Sequence, residues 1–282
     1  MKKILVLGSL GMAGHVMYQY LQQSQYEVVG VARSEGFSVD RVLDVADFGA
    51  LRELLRDIRP DVVVNCVGVL VSGANSDICN AILLNSYLPN LLAKEGLNLG
   101  FKLVHISTDC VFSGLEGGYI EAAFRDGDDN YARTKALGEV NDVRNLTLRT
   151  SIIGPELKST GVGLMHWFLS QRDSVSGYTM AFWSGLTTLE LARVVDFSLC
   201  NDLNGLVHPV PPSRISKFDL LCEIKSVWEL DIAIAKNDEY RVDKSLVATR
   251  KEFSYSVPSY REMLLEMKNW MDANSTFYSH YQ

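Results

Sequence analysis

Long apolar runs are absent from this 282-residue chain. The longest, Val62-Val-Val-Asn-Cys-Val-Gly-Val-Leu-Val71, is broken by Asn65 and Gly68 and falls short of the ~18–20 residues that a membrane-spanning helix needs. It reads as a buried strand running into a turn. The opening Met-Lys-Lys passes at once into Ile4-Leu-Val-Leu7, which leaves no room for the apolar core of a cleavable signal peptide. Metal-ligand spacing is missing too. The five histidines form no HxH or HExxH, and Cys66, Cys79, Cys110, Cys200 and Cys222 form no CxxC, so no metal is expected. Scattered cysteines, odd in number, read as reduced thiols and place the chain in the cytoplasm. Basic charge is also in deficit: 27 Lys and Arg against 34 Asp and Glu give a net charge of -7 and a pI near 5.3, the wrong sign for a nucleic-acid surface. No internal repeat, low-complexity segment or long linker interrupts the sequence.

What is present is ordinary for a globular enzyme: 47% hydrophobic and 22% charged residues, in a chain long enough for one large α/β unit carrying a smaller one. Short apolar runs alternate with amphipathic stretches through the first half, the signature of βαβ units. Strands are expected at 3–7, 27–32, 61–65, 102–107 and 146–150. Helices are expected from the first glycine turn to about Gln23, over 48–58 and 76–96, and from Tyr131 to about Val140. The fold class is therefore α/β, a doubly wound parallel sheet whose ligands sit beyond the carboxyl ends of the strands. Gly8, Gly68, Thr108 and Thr150 all fall at such ends. Residues 1–153 are expected to form the dinucleotide-binding (Rossmann) domain and 154–282 a smaller substrate-binding lobe. Elements around 186–210 are expected to pack back on the first domain. Helices are anticipated at 166–169, 187–199, 217–228 and 260–270, with a strand that ends in a loop over 206–212.

Gly8, Gly11 and Gly14 follow the first strand and open the first helix. Glycines there permit a tight turn and let backbone N–H groups approach a pyrophosphate at the positive helix end. Arg33-Ser34 follow the second strand, where an acid would hold the ribose 2′-hydroxyl of NAD. A basic residue suits a 2′-phosphate instead, so NADP is the expected cofactor, with NAD the alternative. Asp44, after the strand-like Arg41-Val-Leu43, either meets the adenine edge or caps the next helix.

Tyr131-Ala-Arg-Thr-Lys135 puts a phenol and an ammonium on one helical face. A phenol titrates near ~10 in water, and bringing it to about 7 takes roughly 4 kcal/mol. One ammonium about 4 Å away at an effective dielectric of ~20 supplies a similar amount. The pair is thus expected to donate a proton to a carbonyl oxygen as hydride arrives at its carbon. The acidic run from Asp126 has Tyr131 and Leu137 where a calcium-binding EF-hand loop needs Gly and Glu, and reads as a solvated loop.

Taken together, Gly8-x-x-Gly11-x-x-Gly14, Asn65-Cys-Val-Gly68, His105-Ile-Ser-Thr-Asp-Cys-Val-Phe112, Tyr131-x-x-x-Lys135 and Leu148-Arg-Thr-Ser151 resemble the extended short-chain dehydrogenase/reductases. Within these they are most similar to the dTDP-4-dehydrorhamnose reductase family. The resemblance covers the first ~155 residues well and the rest through Trp183-Ser-Gly-Leu-Thr187. It implies an oxidoreductase that reduces a nucleotide-linked 4-keto-6-deoxy sugar for surface-polysaccharide precursors. Tyr131 would protonate the keto oxygen, Lys135 would depress the tyrosine pKa and bind the nicotinamide ribose, and Thr108 would orient the keto oxygen. Gly11, Met12 and Ala13 would line the pyrophosphate, Asp44 and Val45 the adenine, and Cys66, Val67 and Gly68 the adenosine side. Asn85 would support the cofactor edge, with a buried polar or capping role as the alternative. Asp109, Ile152 and Trp183 would meet the sugar.

The chain departs from that family pattern at Cys110, Ala132 and Ile152 and in the run Arg125–Asn130, which points away from rhamnose and toward a relative such as a UDP-linked 2-acetamido 4-keto sugar. Cys110 also breaks the Asp-Glu pair that the similar dehydratases carry. A bifunctional epimerase/reductase using Cys110 and a non-catalytic NADP-binding regulatory subunit are the competing readings. Arg193, Arg214, Lys217, Arg241 and Arg250 are unranked candidates for the substrate diphosphate, and self-association is left open.

Overall fold

Alternation along β1 (Lys3–Leu7) sorts the two faces of the central sheet. Ile4 and Val6 join one apolar cluster and Leu5 and Leu7 the other, all four closed to solvent. A strand apolar on both faces belongs inside a sheet covered on both sides. The computed structural model describes residues 1–281.

In chain order β1 is followed by α1 (Met12–Gln23), β2 (Glu27–Ala32), β3 (Arg41–Val42), α2 (Phe48–Ile58) and β4 (Val62–Asn65). Then come α3 (Val71–Ser76), α4 (Ile78–Ala81), a π-helical stretch (Ile82–Tyr87), α5 (Leu88–Leu99), β5 (Lys102–Thr108) and α6 (Asn130–Leu137). β6 (Leu146–Thr150), β7 (Ile152–Ile153), α7 (Leu164–Leu169), β8 (Ser174–Trp183), β9 (Leu186–Thr187) and α8 (Thr188–Cys200) lead into the last part. It holds β10 (Gly205–Val207), β11 (Ile215–Ser216), α9 (Lys217–Trp228), β12 (Ala233–Asp243) and α10 (Tyr260–Ala273).

Seven parallel strands in the order β10-β6-β5-β4-β1-β2-β3 form the central sheet, and the chain reverses its direction of travel between β1 and β4. That reversal opens the crevice in which doubly wound sheets take ligands. α2 and α5 cover the face that holds Leu5 and Leu7; α1 and α8 cover the other. β10 extends the sheet beyond β6 from late in the sequence. Among the described residues, no helix is long and apolar enough to cross a membrane.

A second sheet, β11-β8-β12, carries α9 against β8. The sequence reading missed it, for a physical reason. β8 carries Ser and Gly where a strand usually has branched apolar groups, and β12 is a polar, largely exposed edge. α6 also stops at Leu137, short of the anticipated Val140. The chain turns at Gly138, where a Cβ would lie 1.9 Å from the Asn85 carbonyl oxygen, and carries Glu139 to Arg149.

That pair ties α6 to β6. Arg149 Nε and Nη2 donate to the two Glu139 carboxylate oxygens at 2.7 and 2.6 Å, Ser107 Oγ donates to the same group at 2.7 Å, and both charged side chains are buried. Guanidinium and carboxylate meeting in this two-point fashion suit burial, because each satisfies the other's hydrogen bonds.

Candidate active site

The glycine turn is built by close approach. Gly8 has φ +80°, a left-handed conformation that favours glycine, and its N–H and that of Ser9 both donate to Val31 O at 2.9 and 3.0 Å. Gly14 lies so near that a Cβ would sit 2.0 Å from Gly8 O. Gly11 is exposed at the mouth, Met12 is half-buried and Ala13 buried. Ser9 Oγ is buried with no hydrogen-bond partner. An exposed glycine rim, a helix N-terminus and an orphaned hydroxyl fit a bound pyrophosphate.

The loop after β4 touches this turn: a Cβ on Gly8 would come 3.1 Å from Val67 Cγ2. Asn65 Oδ1 accepts from Val67 N at 3.1 Å and shapes the loop's start. Asn85 is fully buried, accepts from Val69 N at 2.8 Å, and donates to Val69 O at 3.0 Å and Thr134 Oγ1 at 3.2 Å. It braces Val69, just past the Cys66–Gly68 loop. Burial pushes the Cys66 thiol up to about 12.

Arg33 and Ser34 stand exposed at the carboxyl end of β2. Asp44 is exposed and accepts from Ala46 N at 3.0 Å, whereas Val45 is buried. The cap of α2 is Asp47, which accepts from Gly49 N and Ala50 N, so the capping alternative for Asp44 is corrected.

At the end of β5, Thr108 Oγ1 accepts from Cys110 N at 3.1 Å and donates to Asp109 Oδ1 at 3.2 Å. Asp129 caps α6 by accepting from Ala132 N at 2.7 Å and so aims Tyr131, in the first turn, at Thr108. One turn on, Lys135 is buried, with Nζ donating to Ile106 O at 2.8 Å. The helix thus delivers both groups to the end of β5.

The electrostatics differ from the sequence expectation. Burial drives the Tyr131 phenol well above its usual range, Cys110 pushes the same way, and the Thr108 hydrogen bond pulls it back in part. Burial brings Lys135 down to about 8, against the opposing pull of Glu139 and Cys66. In this arrangement the Lys135 ammonium is bonded to Ile106 O and is not among the leading influences on the Tyr131 phenol. The thiol of Cys110 is pushed up to about 11 by burial and then by the neighbouring Asp109 charge.

Trp183 is buried at the end of β8, with its ring 4.8 Å from Lys217 Nζ. Ile152 pairs with Leu186, and Gly185 is squeezed between the Trp183 ring and Ser151 O, so these segments adjoin. Lys217 comes down to about 8 through burial, with Asp109 pulling it back up. Burial raises the Asp109 carboxyl, and Lys217 and Lys244 oppose that rise. Of the basic candidates, Arg193 is spent on Glu190 and Glu266, Arg214 on Asp243, and Arg250 on Glu252, while Arg241 lies exposed on β12. Lys217 is the one that faces the strand ends.

Missed from the sequence were Lys244, just past the end of the unanticipated strand β12, and Glu139. Glu139 had a readable signal, its place four residues after Lys135. The acidic run is used by the fold: Asp126 accepts from Ser113 N at 2.8 Å, and Asp129 is the helix cap.

The sequence matches the family model described as RmlD substrate binding domain over residues 1–265. The chain belongs to this family. It is thereby an oxidoreductase of the extended short-chain dehydrogenase/reductase type, with the sugar-nucleotide reductases as its kin. It is 31% identical over 289 positions to the spore coat polysaccharide biosynthesis protein SpsK of Bacillus subtilis, covering 97% of this chain and 95% of that one. It is 25% identical over 251 positions to methionine adenosyltransferase 2 subunit beta of Rattus norvegicus, covering 81% and 73%. In fold it is similar to the dTDP-4-dehydrorhamnose reductase of Bacillus anthracis solved in complex with NADP, with TM-score 0.83 at 19% identity, covering 95% of this chain and 99% of that one.

Proposed function

We propose that this chain reduces the 4-keto group of a nucleotide-linked 4-keto-6-deoxy sugar with NADPH, in the making of a surface-polysaccharide precursor. The observations that carry the reading are Tyr131 beside Thr108 at the end of β5 and Lys135, one helical turn on, bonded to Ile106 O of the same strand. Residues 1–153, with 186–210 packed back on them, seat the dinucleotide, and the remainder seats the sugar.

Gly8, Gly11, Met12, Ala13 and Gly14 hold the pyrophosphate, Arg33 and Ser34 the 2′-phosphate, Asp44 and Val45 the adenine, and Cys66, Val67 and Gly68 the adenosine side. When bound, NADPH supplies the hydride. Tyr131 is a protonated phenol at neutral pH, the form a carbonyl reduction consumes. The phenol gives its proton to the keto oxygen, and the Thr108 hydroxyl, held beside Asp109, orients that oxygen. Lys135 adds an ammonium to the same pocket. Asp109, Ile152 and Trp183 border the sugar, and Lys217 meets its anionic diphosphate.

Purified protein with NADPH and a panel of dTDP- and UDP-linked 4-keto sugars tests this through loss of nicotinamide absorbance. Turnover is expected, with Tyr131→Phe lowering it about 10²–10⁴-fold, as loss of a general acid does. The likeness to the methionine adenosyltransferase subunit favours a second reading, an NADP-binding regulatory subunit. Tight NADPH binding without turnover of any sugar would select it.

A further inference from the structure

The chain's last stretch lies beyond the family match, which ends at residue 265, and it packs back on the cofactor end of the site. After α10, two short 3-10 turns at Ser275–Phe277 and Ser279–Tyr281 present three aromatic side chains. Phe277 stacks on Phe37 with ring centroids 3.9 Å apart and 22° between planes. Phe37 belongs to the loop that begins at Arg33 and Ser34, and its ring also meets His15 edge-on at 6.5 Å.

Tyr278 is buried, and its hydroxyl lies 2.9 Å from His15 Nε2. On the other side of that ring, His15 Nδ1 lies 2.8 Å from the carbonyl oxygen of Gly11. Burial pulls His15 down to about 4, so its ring is neutral and carries one proton. A carbonyl only accepts, so Nδ1 donates to Gly11 and Nε2 accepts from Tyr278. The tail therefore reaches the glycine turn through one imidazole. Tyr281 makes a third attachment: it accepts from Glu156 N at 3.0 Å, and its hydroxyl lies 2.8 Å from His166 Nδ1. Glu156 in turn accepts from Gly163 N at 2.6 Å, beside Met12.

We propose that residues 275–281 form a clasp that holds the dinucleotide cleft in its binding shape. In it, Tyr278 positions the glycine turn through His15, and Phe277 positions the loop that carries Arg33 and Ser34. The proposal rests on the reading of this cleft as an NADP site. A loop ordered in the free protein loses no further freedom when ligand arrives, so the clasp acts on affinity, and most on the end where the 2′-phosphate is read.

Three variants test it. Tyr278→Phe keeps the ring and deletes the hydroxyl, Phe277→Ala deletes the stack, and Phe277→Tyr preserves it. Each is compared with wild type by amide hydrogen exchange over residues 8–15 and 33–39 without nucleotide, and by calorimetric Kd for NADPH and NADH. Tyr278→Phe is expected to speed exchange at 8–15 and weaken NADPH about fivefold, the worth of one neutral hydrogen bond. Phe277→Ala is expected to speed exchange at 33–39 and weaken NADPH on the order of 3- to 10-fold, the worth of an aromatic pair, with less effect on NADH. Phe277→Tyr restores both. Unaltered exchange in both segments overturns the clasp, as does NADPH affinity indistinguishable from wild type in both Tyr278→Phe and Phe277→Ala. Should Phe277→Ala fail to fold, Tyr278→Phe still decides. A wild type that binds neither nucleotide sinks the cofactor reading and, with it, this proposal's ligand; the exchange data then show separately whether the tail orders the loops.

Discussion

Replacing Lys135 with methionine separates a residue kept for chemistry from one kept for the fold. Lys135 is only 4% exposed, and burial takes its pKa from 10.5 to about 8. That drop corresponds to about 3 kcal/mol of penalty on the ammonium in the folded protein near neutral pH. Methionine keeps most of the volume and removes the charge, but it surrenders the bond to Ile106 O, a charged-donor hydrogen bond worth about 1.5–3 kcal/mol. The two nearly cancel, so Lys135→Met should match wild type or exceed it by about 1 kcal/mol at pH 7. The pH dependence has a definite sign. The folded pKa lies below the unfolded one, so between about 8 and 10.5 the unfolded chain holds the extra proton. Wild-type stability therefore climbs with pH across that window, the variant's does not, and any advantage of methionine shrinks there. Turnover moves the other way. An ammonium beside a developing phenolate is worth up to about 4 kcal/mol at an effective dielectric of ~20, so kcat should fall on the order of 10²–10³-fold. Urea titrations at several pH values, run beside initial rates of NADPH oxidation, measure both. A variant destabilised by more than ~2 kcal/mol that still turns over like wild type would assign Lys135 to the fold and refute the reasoning.

Gly14→Ala places a Cβ 2.0 Å from a backbone oxygen that cannot swing aside, so the turn must open; titration calorimetry should show NADPH affinity reduced at least about tenfold, and unchanged affinity would place the dinucleotide elsewhere. Glu139→Gln strands the buried Arg149 charge and is expected to cost about 3–5 kcal/mol in chemical denaturation, whereas a loss near zero would mean that water reaches the pair. His15 and His208 are both held near 4 by burial, so the unfolded chain takes up their protons first as pH falls below 6.5. Stability should drop by about 2 kcal/mol for each by pH 5, read from urea midpoints, and a flat profile between pH 7 and 5 would contradict their burial as neutral rings.

Local signals made the first half legible. β1, α1, β2 and α2 run where the pattern places them because each combines a clear period with a glycine turn or a capping aspartate. The Tyr131–Lys135 spacing is a property of any helix, so their shared face needed no tertiary information. The pKa of Tyr131 was a different matter, since it depends on how deeply the fold buries both groups and on which acceptor Lys135 finds. Lys217 could not be ranked for the same reason: only the packing of α9 against β8 brings it over Trp183. The second sheet escaped notice because its strands pair across long sequence separations and wear polar residues at an edge.

Gly138 pressed against Asn85, with Asn85 gripping both the loop after β4 and Thr134, has a practical corollary. The floor of the pocket is one interlocked piece, in which a change meant for the proton donor disturbs the nucleotide's seat as well. Anyone seeking to retarget this scaffold to another sugar would do better to leave that floor alone. Strands β8 and β12 and the tip of α9 offer positions that can be redrawn without moving that machinery.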